Sequence, residues 1–296
     1  MINCMDMTTD AYYNFGTTAV GRSVEDYFPF EAGENYNLQR GNAAAHILQG
    51  VYNNLYFSQM VFPDLDMFQS HNPNGEFHAI ARAINNGPIY ITDNPGEQNF
   101  KILNKLVMSD GKILRSDTPL LPTADCLFQV QDKQPFKAFS ITNGIGLLGI
   151  WNCADTDEVR GTFSAADIDG LAGQKFILYE TFSGKYHLAD RNAKLPIVLG
   201  RLQYALYYVV PVHDGVAPLG LLDKYNAPAG IQDVTISKQQ VKIFTKGGGK
   251  LGVILSRKPR RITVDNSAYR KFTFSDRLLL IDLDSSAKTF QVDISR

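Results

Sequence analysis

The sequence predicts an α/β region followed by an all-β region: half of an eight-stranded (β/α)8 barrel over residues 1–118, then an antiparallel β-sandwich domain over 119–296. Three observations lead there. Short apolar runs first alternate with segments of helical period, the order of βα units whose strands lie parallel. Only four such strands can be found, half of a barrel. From Cys126 onward the chain breaks into short β-rich runs separated by Gly, Asp and Asn, a spacing that suggests a sandwich.

Taken in order, Ile2–Met5 reads as a first strand and Thr17–Gly21 as a second, with a polar loop bearing Tyr12-Tyr13 between them. From Asn37 to about Gln59 the pattern is helical. Ile47, Val51 and Leu55 make one apolar stripe, with His46, Gly50 and Asn54 at the same three- and four-residue steps. Met60-Val61-Phe62 to Pro63 is a third strand. Asn74 then caps a helix with Phe77, Ile80, Ala81 and Ile84 on one face, which Asn86-Gly87 ends. Pro88–Asp93 is a fourth strand, Asn94-Pro95-Gly96 a turn, and Phe100, Leu103 and Leu106 or Val107 suggest one more helix.

The pattern changes between Ser116 and Pro122. The β-rich runs beyond it are Ala138–Thr142, Gly146–Asn152, Gln174–Phe182, Leu202–Val212, Val234–Ile236, Gln240–Thr245, Leu251–Leu255, Arg261–Val264, Lys271–Phe274, Leu278–Leu283 and Thr289–Ile294. Lys246-Gly247-Gly248-Gly249-Lys250 lacks phosphate-loop spacing and a following helix, so a hairpin turn is expected there.

Composition narrows the function. At 296 residues and 44% apolar content the chain can bury a sizeable core, and its formal charge of −1 offers no basic field for nucleic acid or an anionic membrane. A neutral ligand is expected. Cys4, Cys126 and Cys153 are far apart without metal-ligand spacing, which excludes a disulfide framework or zinc site and reads as buried small side chains. No cofactor motif is present. No apolar run approaches the roughly 20 residues of a membrane span. The N-terminus lacks the pattern of a signal peptide and reads as a start inside a fold, so the compartment stays open.

The chemistry gathers between Ala19 and His71. Ala19-Val20-Gly21 runs into Arg22, Glu25 and Asp26, and Met60-Val61-Phe62 into Asp64 and Asp66, so acids and one arginine sit where strands stop. Tyr27, Phe28 and Phe68 stand beside them. Carboxylates and arginine bind hydroxyls while aromatic faces cover a pyranose, the make-up of a sugar site; two carboxyl groups are the usual requirement for cleaving a glycosidic bond. Acids at strand ends also cap helices and close turns. His71 and His78 lie near the expected mouth, with His78 read as packed or hydrogen-bonded. His46, His187 and His213 have no partner pattern, Glu76 and Arg82 read as solvated helix-face charges, and Trp151 as core.

The stretches INCMDMTTDAYY, TAVGRSVEDYFP, FPDLDMFQSHNPNGEFHAIARAINNGPIYITDNPG and NFKILNKLVMSDGKILRSDTPLLPTADCLF resemble the raffinose synthase, seed imbibition protein and alkaline α-galactosidase group of glycoside hydrolase family 36. The resemblance runs from Ile2 to about Phe128 and continues in outline, best at Gly146–Cys153. It implies the C-terminal half of a TIM (β/α)8 barrel followed by the sandwich. It also implies retaining hydrolysis or galactosyl transfer on α-galactosides or other neutral oligosaccharides, with an aspartate nucleophile and an aspartate acid/base. The family's Arg-x-Ser-Asp-Asp-Phe/Tyr run aligns with Arg22–Tyr27. Asp26 then falls on the acid/base, with Glu25 as the alternative, and Arg22 on a sugar contact. A general acid needs a raised pKa, and the neighbouring carboxylate with partial burial acts in that direction.

Departures accompany the match. Val24 replaces the family's Ser, Glu25 its first Asp, and Leu65 the Trp of Pro-Asp-Trp-Asp-Met-Phe, in which Asp64 and Asp66 stand as substrate-binding or loop-fixing groups. The family's nucleophile belongs to an earlier Lys-Val-Asp strand, and neither Asp6 nor Asp10 fits that role, so the isolated chain is expected to be inactive. A missing N-terminal half-barrel or an oligomeric partner is expected to cover open strand edges that otherwise promote aggregation. The alternative from another class is a non-catalytic carbohydrate-binding protein.

Overall fold

Parallel pairing at the N-terminal end arises where three very short apolar segments are separated by helices. In a computed structural model, which describes residues 2–4, 9–13, 15–29, 43–128, 134–154, 156–284 and 288–296, β1 (Ile2–Asn3), β2 (Val20–Arg22) and β3 (Phe62–Asp64) form a parallel sheet in that order. Met5, Asp6 and the expected helix start at 37–42 lie outside the described residues. The Tyr12-Tyr13 pair, expected in a loop, belongs to α1 (Thr9–Tyr13).

Between β2 and β3 runs α2 (Ala43–Phe57), and β3 leads to α3 (Gly75–Ala83). The stripe of α2 is corrected at its end: Ile47 and Val51 are fully buried, whereas Leu55 is 41% exposed. Polar His46 and Asn54 are buried instead because partners await them. Asn54 donates to Leu120 O at 2.9 Å and accepts from Ser23 Oγ at 2.9 Å.

The expected fourth strand is reduced to a single parallel bridge between Phe68 and Ile91. Asp66 adopts φ +63° and turns the chain after β3, so little extended backbone remains to pair with 88–93. The next expected helix is also short, α4 (Phe100–Leu103), because Leu106 and Val107 turn into a ladder closed by Leu114 N to Leu106 O and a Val107–Ile113 bridge.

Beyond residue 118 the described residues form strands joined by loops and short 3-10 turns. A six-stranded sheet has the order β4 (Leu121–Pro122), β5 (Phe136–Thr142), β6 (Ile145–Trp151), β11 (Tyr204–Pro211), β8 (Lys175–Glu180), β9 (Tyr186–Asp190), and β7 (Glu158–Phe163) pairs with β10 (Leu195–Gly200). A four-stranded sheet of β12 (Val216–Leu221), β15 (Gly249–Leu255), β19 (Leu278–Leu283) and β18 (Phe272–Ser275) contributes to one apolar core with a five-stranded sheet. That partner runs β13 (Ile231–Ile236), β14 (Gln240–Thr245), β20 (Phe290–Ser295), β16 (Arg261–Val264), β17 (Ser267–Ala268). These two sheets pack as a sandwich within 216–296, the later part of the region 119–296 expected to form one.

Alternation on the six-stranded sheet assigns its two faces. Leu147, Trp151, Ile177, Tyr179, Leu206 and Tyr208 share a core with Phe77 and Ile80 of α3, while Leu148, Ile150, Phe176, Leu178 and Val209 face the β7–β10 pair. Trp151 is fully buried, as expected, and its Nε1 donates to Phe77 O at 3.3 Å. Its ring lies over Gly149, where a Cβ would stand 2.0 Å from a ring carbon.

Six strands escaped the sequence reading, two of them, β4 and β17, only two residues long. β7 and β10 contain Gly161 and Pro196, β9 is a largely exposed edge, and β12 contains Pro218 and Gly220. Proline is tolerated in β12 because that strand is an edge whose register shifts between Pro218 and Gly220. The expected hairpin at 246–250 is also corrected. β14 and β15 belong to different sheets, so the glycines carry the chain across the sandwich, with Gly249 at φ +143°. Among the cysteines, Cys126 and Cys153 are buried but Cys4 is exposed, and all three are free thiols.

Candidate functional site

Parallel register brings the site together. Arg22 and Asp64 are direct partners at the last positions of β2 and β3, so a cation and an acid 42 residues apart in sequence meet because their strands end level. Arg22 Nε donates to Asp64 Oδ2 at 3.0 Å, its Nη2 pairs with Asp66 Oδ1 at 2.7 Å, and its Nη1 reaches Asp26 Oδ1 at 3.3 Å.

Solvent exposure separates the three acids. The side chains of Asp64 and Asp66 are buried, whereas that of Asp26 is 50% exposed. Tyr90 OH donates to Asp64 Oδ2 at 2.8 Å and lies 3.3 Å from Asp66 Oδ1. Burial and the Asp64 charge push the Tyr90 phenol up, so it stays a donor. Burial opposes the Arg22 charge, but the Asp64 hydrogen bond and the Asp66 charge prevail and hold its pKa above the ordinary value. Of the five guanidinium hydrogens, Asp64, Asp66, Tyr90 and Asp26 take four, leaving one on Nη1 among the described residues.

Asp64 and Asp66 also shape the loop that carries them. Asp64 Oδ1 accepts from Asp66 N at 3.0 Å, and Asp66 Oδ2 accepts from Tyr27 N at 2.7 Å, tying the loop after β3 to the loop after β2. Glu25 is exposed, and its N–H donates to Gln49 Oε1 at 2.6 Å. Of the aromatics, Phe28 is exposed, Tyr27 is buried and Phe68 is fully buried beneath Arg82. Val24 and Leu65 are core residues against Gly50 of α2.

Arg82 corrects the sequence reading most. It is buried rather than solvated, and donates to Asp66 O at 2.9 Å, Met67 O at 3.0 Å, His78 O at 3.1 Å and Leu65 O. His46, read without a partner, places Nε2 2.9 Å from Leu65 O. His78 is packed as expected, edge-on to Tyr27. Burial and the Arg82 charge lower both histidines, His46 to about 3. The available signal was the surrounding Phe77–Ile84 run, apolar on every side, which leaves a charge in that helix no route to water. Glu76 is half-buried as well, accepting from Tyr204 OH at 2.8 Å, Lys105 Nζ at 3.1 Å and Tyr225 OH.

Among the described residues, no three His, Cys, Asp or Glu side chains are grouped to hold a metal ion, and no helix is long and apolar enough to cross a membrane.

The chain matches the family model described as raffinose synthase or seed imbibition protein Sip1 over residues 1–165 and 154–283. It is 31% identical to probable galactinol–sucrose galactosyltransferase 6 of Arabidopsis thaliana, over 96% of this chain and 42% of that protein. To the stachyose synthase of Pisum sativum it is 29% identical, over 74% of this chain and 30% of that protein. The chain thus spans about two fifths or less of the length of these relatives. An α-galactosidase structure from Saccharomyces cerevisiae aligns with TM-score 0.44 at 12% identity, covering 65% of this chain and 59% of that one, a likeness too slight to argue from.

Proposed function

The chain belongs to the raffinose synthase or seed imbibition protein family, and from that premise we propose that it binds α-galactosides and supplies the acid/base side of a retaining hydrolysis or galactosyl-transfer site. One observation carries the reading: Arg22 joins an exposed carboxylate, Asp26, to two buried ones at the level ends of parallel strands. Asp26 protonates the glycosidic oxygen as its bond to the anomeric carbon breaks, then takes a proton from the water or sugar hydroxyl that attacks the glycosyl-enzyme. Glu25 is the alternative donor. Arg22 offers its remaining Nη1 hydrogen to a galactosyl hydroxyl, and Asp64 and Asp66 serve the sugar by fixing that guanidinium.

The three parallel strands and the Phe68–Ile91 bridge support the C-terminal half of a (β/α)8 barrel over 1–118, with the sandwich domain over 119–296. The sequence contains no Lys-x-Asp element, so the nucleophile is assigned to another polypeptide segment and the isolated chain is expected to bind without turnover. Ile2 and Phe62 are exposed in one row across the sheet, a surface suited to an added half-barrel or oligomeric partner.

The test complements the chain with a separately produced family half-barrel bearing Lys-x-Asp. Galactose release should appear on mixing and vanish with Asp26→Asn while calorimetric binding persists. Release by the chain alone, or undiminished release by Asp26→Asn, overturns the assignment. The missing Lys-x-Asp also favours a second reading, a non-catalytic carbohydrate-binding protein, which predicts binding without release even after mixing.

A further inference from the structure

Resting on the galactoside reading, we propose that His71, oriented by Asp93, contacts the sugar unit beyond the galactosyl ring through its Nε2. Three loops form one rim. The loop after β2 carries Asp26, the loop after β3 carries His71, and the segment after Ile91 carries Asp93 and Glu97. Tyr27 N to Asp66 Oδ2 at 2.7 Å and Asn72 Nδ2 to Pro29 O at 3.1 Å tie the first two, and Thr92 N to Phe68 O at 3.0 Å ties the third.

The His71 ring is fixed rather than merely present. Asp93 Oδ1 accepts from the backbone N of His71 at 3.2 Å and from ring Nδ1 at 2.6 Å. A loop strap needs only the first bond; the second sets the ring's orientation. Burial pushes the Asp93 carboxyl up, but hydrogen bonds from His71 and Ser70 prevail and hold it below its ordinary value. With Nδ1 held by Asp93, Nε2 is the ring nitrogen left for a ligand, on a side chain 34% exposed. Glu97 Oε2 lies 3.7 Å from Nε2, so two polar groups stand side by side, an arrangement matched by adjacent hydroxyls of one sugar. Asp26 and Arg22 serve the galactosyl ring on the same rim, which leaves this pair for the neighbouring unit.

Calorimetry of the full chain with methyl α-galactoside and with raffinose separates the possibilities. Wild type should bind raffinose about tenfold more tightly, and His71→Ala should abolish that advantage without changing affinity for the monosaccharide. In wild type, the imidazole Nε2 resonance of His71 should shift with raffinose and not with methyl α-galactoside, a readout independent of the variant's folding. A raffinose advantage that survives His71→Ala, or an unmoved resonance, overturns the proposal while leaving the galactoside reading intact. Wild-type chain that binds neither sugar overturns both.

Discussion

Arg22 and Arg82 use the same side chain for opposite tasks. Arg22 directs its donors to two buried carboxylates, one exposed carboxylate and the Tyr90 hydroxyl, whereas Arg82 donates to four backbone carbonyls and so fixes the loop bearing Asp64 and Asp66. Its charge, together with burial, keeps His46 and His78 neutral. The unfolded histidines titrate near the ordinary value of about 6.5, so below that pH the unfolded state binds the extra protons and stability falls as pH drops. At most, each histidine contributes about 1.4 kcal/mol per pH unit. Urea midpoints measured from pH 7.5 to 5 should decline, and His46→Gln should flatten the decline.

Close approach governs the elements that hold the site. On α2, a Cβ at Gly50 would lie 2.6 Å from Leu65, so the helix rests directly on the loop between Asp64 and Asp66. Leu65→Trp, which restores the family's residue, should destabilise this chain by about 1–3 kcal/mol because the added volume meets α2. β6 poses the same problem in a sheet. Gly149→Ala would drive a methyl into the Trp151 ring, and a loss of about 1–3 kcal/mol in chemical denaturation is expected. An unchanged midpoint in either variant would show that the local packing yields more readily than these distances imply.

One core runs from α2 and α3 into the six-stranded sheet, and Glu76 fastens the same junction by binding Tyr204 of β11, Tyr225 and Lys105. Burial raises the Glu76 pKa, but the hydrogen bonds from Tyr225, Tyr204 and Lys105 prevail and lower it. Its contribution is therefore present above the unfolded value and lost as pH falls through the folded one. Glu76→Ala should cost about 2–4 kcal/mol by leaving polar partners unsatisfied, read as a fall in the denaturation midpoint at pH 7.

Much of this molecule was legible from local pattern. Gln240–Thr245, Arg261–Val264 and Leu278–Leu283 coincide with β14, β16 and β19, and the strand-end residues Arg22, Asp26, Asp64 and Asp66 are joined by ion pairs. Period-two and 3.6-residue repeats are properties of neighbouring residues, so the sequence alone determined where most strands and helices lie. Only tertiary structure decided that β14 and β15 enter different sheets, that Arg82 is buried and Glu76 half-buried, and that Asp64 and Asp66 are buried while Asp26 is not. Those outcomes depend on which distant segments cover a residue, and burial of that kind is not encoded in local periodicity.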